Sequence, residues 1–398
     1  MINHQKMRLV IVSSILPVTN YSAYLIEALQ KKLALKVETL VYTSREKENK
    51  KTDLKNVKLV WNKNLAYPFQ VSFQVIKDKP QVVHLQHEIN MFGGLGTALI
   101  FPLLPLFLKM MGVKTVITIH AVVSPKQINQ EFLETFWRSQ NKCLIPLIKT
   151  FFFFLYKSLG WSADKIIVHS QGLRKILTED YRLESNKVVV VLEGIPDEIK
   201  AVEDKEISQQ IKKQIQGHQF MLSYGYLHRR KRIELLFKAL QIIGKKYPEV
   251  LLVLAGGTLQ KDYEEKLKRM VLKLKLSKKV VFLGFVKENE LHWLIDQSLF
   301  VLLPALFSIA ASGPLSQIIA HHKPVIVSKI GVFKEEINDS FDGLLAQNSA
   351  YDWAIKAERL IKDKKLAKKI ALNLAKKHQA RKWSVVAEQT YNLYQTLI

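Results

Sequence analysis

Three stretches of the chain hold residue types that handle an anion or a proton. GYLHRRKR (225–232) sets Arg229, Arg230, Lys231 and Arg232 side by side between an apolar run and an amphipathic one. Cations crowded at a helix N-terminus oppose the helix dipole, and a chain tolerates that more readily where the site meets an anion such as a diphosphate. The other reading is a solvated basic loop. Ser312-Gly313-Pro314 follows a second apolar run and opens a helix. Ser312 can cap it, and Pro314 suits the first turn because its missing N–H would be unpaired there anyway. Such a helix start seats a phosphate or a sugar hydroxyl, or belongs to an ordinary well-capped βαβ unit. In the first half, polar residues close short apolar runs: Gln86-His87-Glu88, His120, His169-Ser170 and Glu193. Glu88 can supply a carboxylate beside His87 or serve as a structural cap.

The elements that position these residues alternate between strand and helix. Apolar runs predict strands over 7–12, 35–42, 81–85, 114–119, 165–168 and 188–192, with helices over 24–33 and 171–179 and a charged loop over 44–53. A second series has strands over 220–224, 250–254, 280–283, 299–303 and 325–327 and helices over 232–243, 263–274 and 290–296. Lysine-rich helices and an amphipathic helix over 384–397 close the chain. Unbroken apolar strands with polar C-terminal ends indicate doubly wound parallel sheets, which bind ligands at those ends. The polar stretch 199–216 reads as a linker, so the expected domains are 1–203 and 204–375, with 376–398 a terminal helix. Two such domains leave a cleft between the C-terminal edges of their sheets.

The 398 residues suit two domains, and a hydrophobic content of 48% suffices for their cores. A single cysteine, Cys143, excludes an internal disulfide framework and a cysteine-rich metal site, which fits a reducing, cytoplasmic compartment. The N-terminal run is short and β-branched, unlike a signal peptide. A formal net charge of +25 admits a nucleic acid, an anionic membrane surface or an anionic substrate. There is no RNA-recognition motif, zinc finger or aromatic–basic interleaving, so a nucleic-acid partner is not expected. Two segments, 101–111 and 144–159, are strongly apolar with lysines interspersed, too short or too interrupted for a spanning helix of about 20 residues. They read as core helices or as interfacial helices on an anionic membrane; Phe151 to Phe154 cannot all face one core.

In order, VVHLQHEINMFGG (82–94), TIHAVVSP (118–125), VHSQGLRKIL (168–177), EGIPD (193–197), YGYLHRRKRIELLFKAL (224–240), VLLVLAGG (250–257), VVFLGFV (280–286), SGPLSQIIAHHKPVIVS (312–328) and GVFKEEINDSFDGLL (331–345) resemble the retaining glycosyltransferases of the family-4 type. The resemblance covers most of the chain. It implies the GT-B fold, two Rossmann-like domains with a C-terminal helix crossing back to the first, and transfer of a sugar from a UDP- or GDP-linked donor. The donor is a substrate, and neither a cofactor nor a metal is implied. Lys231 matches the lysine on the donor diphosphate, with Arg229 or Arg230 assisting. His120 matches a histidine near the transferred sugar, and Glu88 is the candidate carboxylate. Gly225, Gly256 and Ser312-Gly313-Pro314-Leu315 fall on the donor loops. Asn20, His87, Gly93 and Gly94 fall on the side of a glycan or lipid-linked acceptor. The chain departs from the family at Ile309 and Gln317, where two glutamates usually bind donor sugar and ribose, and at Tyr226, where an arginine is common. Gln317 retains hydrogen bonds for a ribose; Ile309 has none for a sugar. The alternative is therefore a catalytically impaired relative that binds a nucleotide sugar or scaffolds glycan assembly.

Overall fold

The computed structural model describes residues 6–15, 21–46, 53–136, 139–258 and 260–398, and these divide into two compact units. The first comprises Met1–Gly194, Ile309–Ala311 and Arg381–Ile398, the second Ile195–Ser308 and Ser312–Ala380.

The first unit alternates β1 (Met7–Val12), α1 (Tyr21–Lys32), β2 (Val37–Ser44), β3 (Val57–Trp61), α2 (Tyr67–Asp78), β4 (Val82–His87), α3 (Leu95–Ile100), α4 (Leu103–Met110), β5 (Lys114–Ile119), α5 (Gln130–Phe136), α6 (Leu144–Ser162), β6 (Lys165–Val168), α7 (Gln171–Lys175) and β7 (Val188–Val190). Its strands are parallel in the order β3-β2-β1-β4-β5-β6-β7. β3 and α2 are additions to the expected series. β4 runs two residues past its apolar run, with Gln86 and His87 still paired to Thr118 and Ile119 of β5.

The second unit contains α8 (Gln209–Ile215), β8 (Phe220–Tyr224), α9 (Ile233–Ile243), β9 (Leu251–Ala255), α10 (Lys261–Lys273), β10 (Val280–Gly284), α11 (Glu288–Gln297), β11 (Val301–Leu303), α12 (Gly313–Ala320), β12 (Val325–Ser328), α13 (Gly331–Glu336), β13 (Leu344–Ala346), α14 (Ala350–Lys362) and α15 (Lys364–Ala380). Its parallel sheet runs β10-β9-β8-β11-β12-β13. The stretch 199–216 is part of this unit. Ile207, Ile211 and Ile215 recur every fourth residue and are buried in its core, so a segment polar in composition still presents one apolar face.

The last helix, α16 (Trp383–Gln395), belongs to the first unit and packs along α1. Buried Trp383 anchors it, standing edge-on to Tyr21 with ring centroids 4.8 Å apart. A Cβ on Gly194 would fall 2.3 Å from the Trp383 indole, and the Arg381 guanidinium donates to the Glu193 carbonyl at 2.6 Å. Overpacking of this kind typically costs about 1–3 kcal/mol. Gly194→Ala should therefore lower the unfolding free energy by about that amount in urea titrations. The same change in a Trp383→Ala background should cost much less; equal costs in the two backgrounds would mean the indole does not set the requirement.

Candidate functional site

In the second unit the basic turn is not a row of equivalent cations. Arg229–Lys231 forms a 3-10 turn, and Arg232, at φ +50°, hands the chain into α9. Arg229 pairs with Asp262 and lies over the Tyr263 ring, which turns it towards α10. Arg230 is largely enclosed, and burial lowers its pKa. Lys231 donates from Nζ to the Tyr224 carbonyl at 2.9 Å. Burial first, then Arg230, push its ammonium down to about 8.

Two glycines make room for that ammonium. At Gly225, φ +90°, a Cβ would stand 2.6 Å from Lys231 Nζ. At Gly256, φ +155°, a Cβ would stand 2.2 Å from the Gly225 carbonyl oxygen, so the ends of β8 and β9 approach as only glycine backbones can. Tyr224 joins this corner to α12: its hydroxyl donates to the Pro314 carbonyl at 2.7 Å and lies 3.2 Å from Gln317 Oε1. Ser312 caps α12 by accepting from the Leu315 N–H at 3.3 Å. With Pro314 lacking an N–H and Leu315's engaged by the cap, Gly313 supplies the foremost backbone donor of this turn. Lys231, Gly225, Gly256, Ser312 and Gln317 thus gather around Tyr224, a residue to which the sequence reading assigned no role.

In the first unit the ends of β4 and β5 and the residues after β6 and β7 surround a cavity of about 460 Å³. Glu88, His120, His169 and Glu193 line it, with Lys63 and the backbone-contacting Ala310 and Ala311. Ile309 accepts at its carbonyl from the Val122 N–H at 2.8 Å. Behind the wall runs a line of imidazoles. His169 Nδ1 donates to the Val191 carbonyl at 2.9 Å, and its Nε2 lies 3.2 Å from His120 Nδ1. His120 Nε2 lies 2.9 Å from Gln86 Oε1, and Gln86 Nε2 lies 3.2 Å from His84 Nε2. His84 ends the line between Thr118, at 2.7 Å, and the Tyr394 hydroxyl of α16, at 2.6 Å. Burial lowers all four pKa values: His84 to about 3, His87 and His169 to about 4, and His120 well below its ordinary value, with His169 adding to the shift.

His87, expected on the acceptor side, is a correction. In a strand, neighbours alternate between faces. Because β4 extends to His87, Gln86 shares a face with His84 while His87 faces the core, 3% exposed and 4.4 Å from the Phe101 ring. Gly93 is conformational, at φ +138° with Thr97 Oγ1 2.8 Å from where a Cβ would be, and Gly94 heads α3. Asn20 lies outside the described residues.

Residues 18–199 match the family described as Glycosyltransferase Family 4, and residues 204–377 the one described as Glycosyl transferases group 1. An uncharacterized glycosyltransferase of Methanocaldococcus jannaschii is 26% identical over 242 residues, 59% of this chain and 60% of that protein. An alpha-1,3/1,6-mannosyltransferase of Dictyostelium discoideum is 29% identical over 168 residues, 39% of this chain and 40% of that protein. The chain thus spans 60% or less of the length of these curated relatives. Among solved structures, Anabaena HepE in complex with UDP-glucose superposes with a TM-score of 0.73 at 16% identity, covering 98% of this chain and 100% of that one. WaaG, a glycosyltransferase involved in lipopolysaccharide biosynthesis, gives 0.66 at 14% identity, covering 98% and 99%. These likenesses place the fold as GT-B, with two Rossmann-like parallel-sheet domains.

The neutral histidines carry a pH signature. The unfolded chain protonates them near 6.5, and the folded chain only near 3 to 4. Their contribution to stability is therefore complete above about pH 6.5 and is lost as the pH falls towards 4. Each buried histidine adds about 1.4 kcal/mol per pH unit to that slope. Urea unfolding at stepped pH should show the slope, and His84→Gln should reduce it by one histidine's share. An unchanged slope in that variant would place a proton on His84 in the folded state.

Proposed function

The chain belongs to the group 1 glycosyltransferases, with the family-4 domain in its first half, and from this we propose that it moves a sugar from a nucleotide-diphosphate donor to a glycan or lipid-linked acceptor. The reaction retains the anomeric configuration and uses no metal. The observation that carries the reading is the enclosed ammonium of Lys231, linked through Tyr224 to the start of α12. As the sugar leaves, negative charge builds on the nucleotide diphosphate. A buried cation and a helix N-terminus stabilise such charge without reorganising, a type of contribution worth about two to three orders of magnitude in rate.

UDP is the favoured nucleotide, because HepE, which shares the fold, is solved with UDP-glucose. The acceptor is received by the first-unit cavity, where Glu88 and Glu193 offer hydrogen bonds to hydroxyls. A lipid-linked acceptor accords with contact at an anionic, cytoplasmic membrane face.

A second reading, donor binding without turnover, is favoured by Ile309, which brings a side chain without hydrogen-bonding groups to a position where the family has a sugar-binding glutamate. Calorimetry with UDP- and GDP-sugars, paired with a transfer assay on membrane extract, separates the two. Transfer that falls at least about a hundredfold in Lys231→Ala supports the first reading. Binding without transfer supports the second, and full activity in Lys231→Ala removes the assigned role. Because only the protonated ammonium attracts the diphosphate, UDP affinity should weaken as the pH rises through about 8 in the wild type. In Lys231→Arg it should stay level, since a guanidinium keeps its proton.

A further inference from the structure

The crossover helices α2, α4 and α6 of the first unit lie in one layer. Phe69 of α2 packs on Phe107 of α4 with ring centroids 5.1 Å apart. Lys109 of α4 donates to the Trp161 carbonyl of α6 at 2.6 Å and stands 4.0 Å over the Trp161 ring. A crossover helix in an α/β domain ordinarily turns an apolar stripe to the sheet and a polar one to water. These three bury one apolar stripe and show a second. On α2, Phe69, Phe73 and Ile76 recur at i, i+4 and i+7, each more than half exposed. On α6, Leu147, Phe154 and Trp161 recur every seventh residue, each more than half exposed. Leu103 and Met110 continue the patch across α4. By length and composition α6 could cross a bilayer, but Ile148, Phe152, Leu155, Tyr156 and Leu159 are buried within the unit. It therefore lies along a surface.

Charge decides what covers this patch. α3, α4 and α6 contain no carboxylate, and the one on α2, Asp78, is held by Lys58 and Tyr42. The cations are Lys77, Lys109, Lys149 and Lys157, with Lys79 and Lys114, the latter paired at 3.9 Å with Asp164 just past α6, lining a groove of about 690 Å³ that continues from Ile76. Lys77 lies over the Phe73 ring as Lys109 lies over Trp161, 4.3 Å from its centroid. Cationic tips beside aromatic bodies suit the headgroup level of a bilayer, where the ring meets acyl chains and the ammonium meets phosphate. A second copy of the same face would oppose lysine to lysine, the carboxylates Asp78 and Asp164 being already paired with Lys58 and Lys114.

We propose that the layer α2–α4–α6 is a docking face for an anionic phospholipid surface, on which the first unit lies with all three helices parallel to the bilayer plane. This names the surface for the membrane contact proposed above and rests on that contact, not on sugar transfer. The test is sedimentation of the full chain with phosphatidylcholine vesicles, with and without phosphatidylglycerol, at low and high salt. Binding should require phosphatidylglycerol and weaken at high salt, as screened charges demand. Phe73→Ser combined with Phe154→Ser should weaken vesicle binding at least about tenfold, given the value of burying two phenyl groups. Thermal unfolding and UDP affinity should stay unchanged in this variant, because both side chains are exposed. Vesicle binding equal to wild type in the variant overturns the proposal. So does a solution dimer that the variant dissolves while the wild type ignores vesicles. UDP binding is read separately, so loss of the docking face and loss of the donor reading give different results.

Discussion

A parallel strand cannot be followed directly by its neighbour: the chain must first cross back over the sheet, usually as a helix. Everything functional in this protein follows from that constraint. Each crossing returns the chain to the same edge, so strand ends that are far apart in sequence become neighbours. In the first unit this gathers Glu88, His120, His169 and Glu193 around one cavity. In the second it brings Gly225, Gly256 and the start of α12 around Tyr224. The same crossings cover both faces of each sheet with helices, which is why the strands are apolar throughout and why the outer faces of the helices are left to meet something else.

The two gatherings treat charge in opposite ways. In the first, burial above all keeps the imidazoles of His84, His120 and His169 neutral, and His169 further disfavours a proton on His84 and on His120. In the second, the half-buried Lys231 donates to the Tyr224 carbonyl with Arg230 beside it, and its pKa falls only to about 8. It remains mostly charged at pH 7, in surroundings where an arriving anion would relieve an unfavourable state.

The strands that lie inside their sheets were legible because unbroken β-branched runs ending in glycine or histidine have few other readings. The helix α2 was not. Val71 and Val75 face the sheet while Phe69, Phe73 and Ile76 face outward, so two apolar stripes share the helix and blur the one-sided pattern by which an amphipathic helix is read. The parity of His87 was hidden by two residues of strand length. The histidine line was hidden more thoroughly: His84 sits inside an apolar strand run, and its partner Tyr394 is 310 residues further along the chain. Tyr224 closes a strand as any buried aromatic would, and only the position of α12 gives its hydroxyl a purpose. What the sequence conceals, in each case, is a contact made by crossovers rather than by spacing.

The C-terminal helix shows how such contacts bind distant parts of the chain into one device. Tyr394 reaches the buried end of the imidazole line, Trp383 closes on Tyr21 and Gly194, and Arg381 holds the carbonyl of Glu193, a residue on the cavity wall. Tyr21 in turn lies against both His120 and His169, with ring centroids 4.8 and 4.7 Å away. Displacing α16 would therefore expose the imidazoles to water, weaken the desolvation that keeps them neutral, and release Glu193 from its support. The helix is remote from the strands in sequence, but the protonation state of the cavity depends on its being in place.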